Sequence, residues 1–152
     1  MLVKDLMTTG VLAVHETDTL RAVVTKMLNR QCGAIPVIEG DTRLVGLVAI
    51  RDILLLLYPN CGDYIHDSVQ SRDFVEMESG YAALMSRPVG QVMTRKPFTV
   101  APDDPVLKAA SYMGLKHLRR IPVVDNAKLL GMISISDINR GLFLAHTLAH
   151  TR

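Results

Sequence analysis

The chain has 152 residues, 49% of them hydrophobic and 21% charged, with a formal net charge of +2. That is enough apolar material for one sizeable core or two small cores sharing an interface, and the charge is too even to draw the protein toward nucleic acid or anionic lipid. Trp is absent and aromatic residues make up 5%, which argues against stacking platforms for single-stranded nucleic acid.

The longest apolar run, Ile53 to Tyr58, falls far short of the roughly 20 residues that span a bilayer. Met1 to Gly10 carries Lys4 and Asp5 and lacks the apolar stretch of a secretory signal, so the expected location is cytoplasmic with no membrane partner. Cys32 and Cys61 have no metal-type spacing and are expected to be free thiols.

The first expected element is a short extended piece, Val11 to Val14. A helix should follow, capped by Thr17 or Asp18 and burying Leu20, Val23, Val24, Met27 and Leu28 at helical spacing. An apolar strand from Ile35 to Ile38, a turn at Glu39-Gly40-Asp41 and a second strand from Leu44 to Ile50 read as a hairpin. A helix starting near Asp52 ends the series. Turn chemistry then begins at Pro59-Asn60-Cys61-Gly62-Asp63, and Phe74, Met77, Tyr81, Leu84 and Met85 follow at helical spacing up to Arg87-Pro88. This segment is expected to be a linker helix packed on its own module, or else a surface for a partner.

The same series then returns. Val3 matches Val89, Met7-Thr8 matches Met93-Thr94, Asp18 matches Asp104, and Ile35-Pro36-Val37 matches Ile121-Pro122-Val123. After one residue drops from the second turn, Gly46 matches Gly131 and Asp52-Ile53 matches Asp137-Ile138. Ordered matches on Pro, Gly, Asp and core aliphatics mark a duplication. The second copy should have a strand at Phe98 to Val100 and a helix capped by Asp103 or Asp104, with Pro105 in its first turn and Val106, Leu107, Ala110 and Met113 inside. Strands at Ile121 to Val124 and Leu129 to Ile135 and a helix near Asp137 complete it. The expected organisation is repeat 1 over 1–57, a linker with a helix over 58–88, and repeat 2 with a C-terminal helix over 89–152. The fold class is α/β (α+β): two β-α-β-β-α repeats packed with pseudo-two-fold symmetry, since a unit this small can hardly cover its own sheet.

Chemistry concentrates in Gly131-Met132-Ile133-Ser134-Ile135-Ser136-Asp137, where a strand enters a helix N-terminus. Free N–H groups and the positive end of the helix dipole suit phosphate. Ser134 and Ser136 can donate to phosphate or sugar oxygens, and ionised Asp137 can accept from both hydroxyls of a ribose. Ser136 or Asp137 equally suits a simple helix cap. Arg119-Arg120, just before Ile121-Pro122, form either a phosphate clamp or a solvated basic pair. Gly33-Ala34 stand in their place in the first repeat, so the two repeats are not electrostatically equal.

The series Met-Thr, acidic residues at a helix start, (Ile/Leu)-Pro-Val, then Gly-h-h-(Ser/Thr)-x-x-Asp resembles the CBS domain, and two in tandem resemble a Bateman module. The resemblance covers about Val3 to Ile53 and Val89 to Leu144. Gly131 to Ile138 is also similar to the nucleotide-binding repeats of the γ subunit of AMP-activated protein kinase, which share Ser-x-Ser-Asp. The resemblance implies clefts between the repeats that hold an adenine nucleotide (AMP, ADP or ATP) or a related adenosyl ligand as regulator. The site at Asp137 would use Ser134, Ser136, Arg119 and Arg120, and borrow Thr8, Leu12, Gly33 and Ala34. A second, weaker site at Asp52 would use Arg51 and borrow Thr94 and Phe98. It departs from the pattern at Ala49, where Ser134 stands in its twin, and at Arg51, where Ser136 stands. The resemblance further implies a disc-like homodimer, an effector protein, and no catalysis; the residues themselves give no catalytic motif. The alternative is a dimerisation or interaction module with vestigial clefts. His146 and His150 sit one turn apart without a third ligand, so no metal is expected.

Overall fold

The computed structural model describes residues 1–58 and 73–148. The turn expected at Pro59 to Asp63, with Cys61, and also His66 and His150, fall outside the described residues. The elements in chain order are α1 (Val3–Leu6), β1 (Val14–His15), α2 (Leu20–Arg30), β2 (Ala34–Glu39), β3 (Arg43–Ala49), α3 (Ile50–Leu55), α4 (Phe74–Ser79), α5 (Tyr81–Leu84), a 3₁₀ turn (Val89–Gln91), β4 (Thr94–Arg95), α6 (Val106–Lys116), β5 (Arg120–Asp125), β6 (Lys128–Ser134) and α7 (Ile135–Thr147). This is a mixed α+β fold carrying the repeat twice, with the opening strand of the second copy, expected at Phe98 to Val100, reduced to a parallel bridge between Val100 and Val123.

The chain forms two compact units that cross the repeat boundaries. One holds Met1–Leu12, Gly40–Val45 and the chain from Lys96 onward; the other holds Ala13–Glu39 and Gly46–Arg95. In the first unit α1 serves the second repeat. Val3 is fully buried in one core with Val106, Met113, Ile121, Ile133 and Ile138. Val3 N donates to Asp104 O and Lys4 N to Pro102 O, both at 2.9 Å. β5 and β6 form an antiparallel hairpin that pairs Arg120 with Ser134, Ile121 with Ile133 and Pro122 with Met132. Alternation turns Ile121 and Val123 into the core, which explains the apolar residues flanking the proline. In the second unit β1 runs parallel to β2, with Val14 against Val37. There Leu20, Val23, Met27, Ile35, Val37 and Ile53 are buried.

Several local expectations need correction. The cap of α2 is Thr19, which accepts from Ala22 N at 3.2 Å, not Thr17 or Asp18. Asp18 instead accepts from His15 N at 2.9 Å, and Asp104 from Ala101 N at 2.9 Å. Both carboxylates close the loop before the helix, and the chain stays extended through Thr19 and Pro105 because these residues bridge to Pro88 and Leu2. Leu28 is 71% exposed and Leu107 61%, since the buried stripes run Leu20, Val23, Met27 and Val106, Ala109, Met113. The linker helix is broken at Gly80 into α4 and α5. Phe74 stays 44% exposed while Met85 is buried. The second strands end at Ala49 and Ser134, and their helices begin at Ile50 and Ile135. Asp52 and Asp137 therefore sit inside the first turn rather than ahead of it.

The duplication extends to the backbone. α2 ends at left-handed Gln31 (φ 52°) and α6 at left-handed His117 (φ 54°). Gly10 (φ 64°) and Lys96 (φ 51°) hold the same conformation after Met-Thr in each repeat. A left-handed non-glycine residue costs about 1–2 kcal/mol, and glycine returns about 0.5–1 kcal/mol of that as chain entropy. Gln31→Gly and Lys96→Gly are each expected to stabilise the fold by about 0.5–1 kcal/mol. An unchanged or lower urea midpoint would contradict this.

Candidate functional site

The hairpin β5–β6 delivers Ser134 to the start of α7, and the residues there tie themselves together. Ser134 Oγ accepts from Asp137 N at 3.0 Å, and Asp137 Oδ2 accepts from Ser134 N at 3.0 Å. This reciprocal box satisfies two backbone donors of the helix start. The cap is therefore Ser134 and not Ser136 or Asp137, and Asp137 returns only one carboxylate oxygen to it. Oδ1 faces Arg140 Nη2 at 3.8 Å, and the Asp137 side chain retains 21% of its exposure. A second acceptor thus stays outside the cap, on the residue after exposed Ser136.

β5 places the two arginines differently. Arg120 lies directly across from Ser134, on the strand side opposite to buried Ile121 and Ile133. Arg119 is exposed, and its carbonyl accepts from Ile135 N at 2.9 Å. Together these residues offer hydroxyls, guanidinium donors and a carboxylate acceptor around one helix N-terminus.

The first repeat contributes its opening arm to this unit. Thr8 N donates to Met132 O at 2.8 Å and Met132 N to Thr8 O at 3.0 Å. Thr8 is exposed and Leu12 half-buried. This contact accounts for the glycine that opens the motif, a role the sequence reading missed: a Cβ on Gly131 would collide with Thr8 O and fall 3.2 Å from Thr8 C. The second unit repeats the device. β4 pairs with β3, Thr94 opposite Leu47 and Arg95 opposite Gly46, and a Cβ on Gly46 would lie 2.6 Å from Met93 Sδ and 3.0 Å from Thr94 O. A glycine at matched positions of both repeats was the available signal.

Thr8 and Leu12 thus share a unit with Asp137, and Thr94 shares one with Asp52. Gly33 and Ala34 belong to the second unit, where Gly33 O accepts from Ile50 N at 3.0 Å, beside the helix of Asp52. Phe98 belongs to the first unit; its ring lies 6.2 Å from that of Tyr112 and 4.8 Å from Lys116 Nζ.

The start of α3 is a reduced copy. Asp52 Oδ2 accepts from Ala49 N at 2.8 Å, but Ala49 has no hydroxyl to return, and Arg51 is exposed. Burial pushes the Asp52 carboxyl above its ordinary range, against the Ala49 hydrogen bond and the Arg51 charge. Between the ordinary and the raised pKa the folded chain keeps a proton that the unfolded chain has released, so stability falls as pH rises through that window. Asp52→Asn keeps an acceptor for Ala49 N and removes this fall. The variant is expected to gain stability relative to wild type on going from mildly acid to neutral pH. Parallel denaturant midpoints across that range would contradict the assignment.

Among the described residues no three His, Cys, Asp or Glu side chains gather as a metal site, and no helix is long and apolar enough to cross a membrane. The two β-α-β-β-α series, each ending in a hairpin that feeds a carboxylate-bearing helix start, define a tandem CBS pair. The chain belongs to the CBS domain family, whose profile matches residues 3–58 and 89–143. It is 30% identical over 142 residues to the uncharacterized protein YlbB of Bacillus subtilis, covering 90% of this chain and 79% of that one. A homoserine O-acetyltransferase of Methanohalobium evestigatum is 27% identical over 139 residues, but the match spans only 23% of that protein. Among solved structures, CBSX2 in complex with AMP superposes with a TM-score of 0.72 at 25% identity, covering 95% of this chain and 97% of that one.

Proposed function

We propose that the chain is a regulatory module without catalytic activity that binds an adenine nucleotide, with AMP as the first candidate, at the start of α7. The observation that carries this is the second carboxylate oxygen of Asp137, which takes no part in the helix cap and faces Arg140 Nη2 at 3.8 Å. With Oδ2 committed to the helix cap, Oδ1 remains to receive ribose hydroxyls. Ser136 and the guanidinium of Arg120 would serve phosphate, with Thr8 and Leu12 of the arm completing the site. The AMP complex of CBSX2 supports the choice of ligand, as does the resemblance of Ser134 to Asp137 to the Ser-x-Ser-Asp of the γ subunit of AMP-activated protein kinase.

The start of α3 lacks the hydroxyl and the arginine pair, so the module has one competent site and one weak or empty one. Binding alters the protein's output only if the ligand prefers one conformation over another, and an effector protein reads that preference, with the module acting as a homodimer. Calorimetric titration with AMP tests the site. One site per chain is expected, and two equal sites or none would contradict it. The second reading, an interaction module with vestigial clefts, is favoured by Ala49 and applies to the Asp52 side.

A further inference from the structure

We infer that Thr8 to Gly10 form a clip whose closure on β6 is coupled to occupancy of the α7 site, an inference that rests on AMP binding there. The N-terminal side of the clip is anchored. Val3 is fully buried, and Val3 N and Lys4 N are bonded to Asp104 O and Pro102 O. Its far side ends at Gly10, whose positive φ of 64° makes it a natural pivot.

Between anchor and pivot the reciprocal Thr8–Met132 pair joins the arm to β6, and Thr8, Thr9 and Gly10 are all exposed. Few exposed hydrogen bonds and little burial make opening of this stretch cheap compared with global unfolding. The strand surface beneath is cut flat for it by Gly131. Met132 precedes Ser134 by two residues on β6, so the two lie on the same strand side. A nucleotide held by Thr8 on one side and by Ser134 and Asp137 on the other has its full set of partners only when the clip is shut. Closure then strengthens binding, and binding strengthens closure by the same factor.

The second unit supplies an internal reference: the Thr94 clip on Leu47 has the same strand pairing but leads to a helix start without the serine. Amide hydrogen exchange on the wild-type chain, with and without saturating AMP, reads the coupling. The Thr8 and Met132 amides should slow by about tenfold or more, and those of Leu47 and Thr94 by much less. Gly131→Val, which holds the clip off the strand, should weaken AMP binding by the factor seen in exchange. The wild-type exchange comparison stands without it if that variant fails to fold. AMP binding with equal slowing at both clips, or with none, overturns the coupling and leaves the site intact. Failure of AMP to bind the wild-type chain removes the site, and the coupling with it.

Discussion

Asp137→Asn is expected to weaken AMP binding by about ten- to a hundredfold while leaving the melting temperature nearly unchanged. Asparagine keeps an oxygen that can accept from Ser134 N, so the cap at 3.0 Å survives. It replaces the second acceptor with a donor, which faces the ribose hydroxyls with the wrong polarity. A hydrogen bond to a charged group contributes about 1.5–3 kcal/mol, and each 1.4 kcal/mol is tenfold in affinity. Asp137→Ala removes both functions and should also lose about 1 kcal/mol of stability with the cap. Asp52→Asn should leave AMP affinity nearly unchanged, because its helix start lacks the serine. Isothermal titration of the three variants, read beside their thermal melts, separates capping from binding. Equal affinity in wild type and Asp137→Asn would reduce Asp137 to a helix cap.

Ile121→Ala is expected to destabilise the chain by about 2–5 kcal/mol. Ile121 has no exposed surface and lies across from buried Ile133, in the core that also holds Val3 of α1 and Ile138 of α7. The cavity would open beneath the hairpin that presents Ser134, so the loss should appear in the urea midpoint and also as weaker AMP binding. Leu107→Ala on α6, 61% exposed, serves as the control and should shift the midpoint by no more than about 0.5 kcal/mol. A loss below 1 kcal/mol for Ile121→Ala would mean that this core is not the scaffold of the site.

The repeat and its hairpins were legible in the sequence because their signals are steric. Ile121 and Val123 alternate into the core around Pro122, and Gly131 and Asp137 hold fixed places in the middle of the strand and in the first turn of the helix. The helix starts were harder to read. Asp18 and Asp104 look like caps, and only the bridges Thr19–Pro88 and Leu2–Pro105, which join distant parts of the chain, move the cap onward and leave the carboxylates closing a loop. The left-handed residues Gln31, Lys96 and His117 were invisible for a related reason: no glycine marks them, and the surrounding fold imposes the conformation. The grouping of Thr8 with Asp137 and of Thr94 with Asp52 entered only through family resemblance. Its physical cause, an arm hydrogen-bonded flat against a glycine in the other repeat's strand, became plain from the backbone pairs.

The most direct test of the central claim is a thermal-shift series on the wild-type protein, shown free of co-purified nucleotide, against AMP, ADP, ATP and S-adenosylmethionine, with GMP and GTP as controls. A ligand that binds only the folded chain raises the melting temperature by mass action, by about 2.7 kcal/mol of added stability at a hundredfold excess over its Kd. Stabilisation by an adenine nucleotide, absent with guanine nucleotides and lost in Asp137→Asn, is the predicted result. No stabilisation by any adenosyl compound would contradict it and leave the module as an interaction surface with empty clefts.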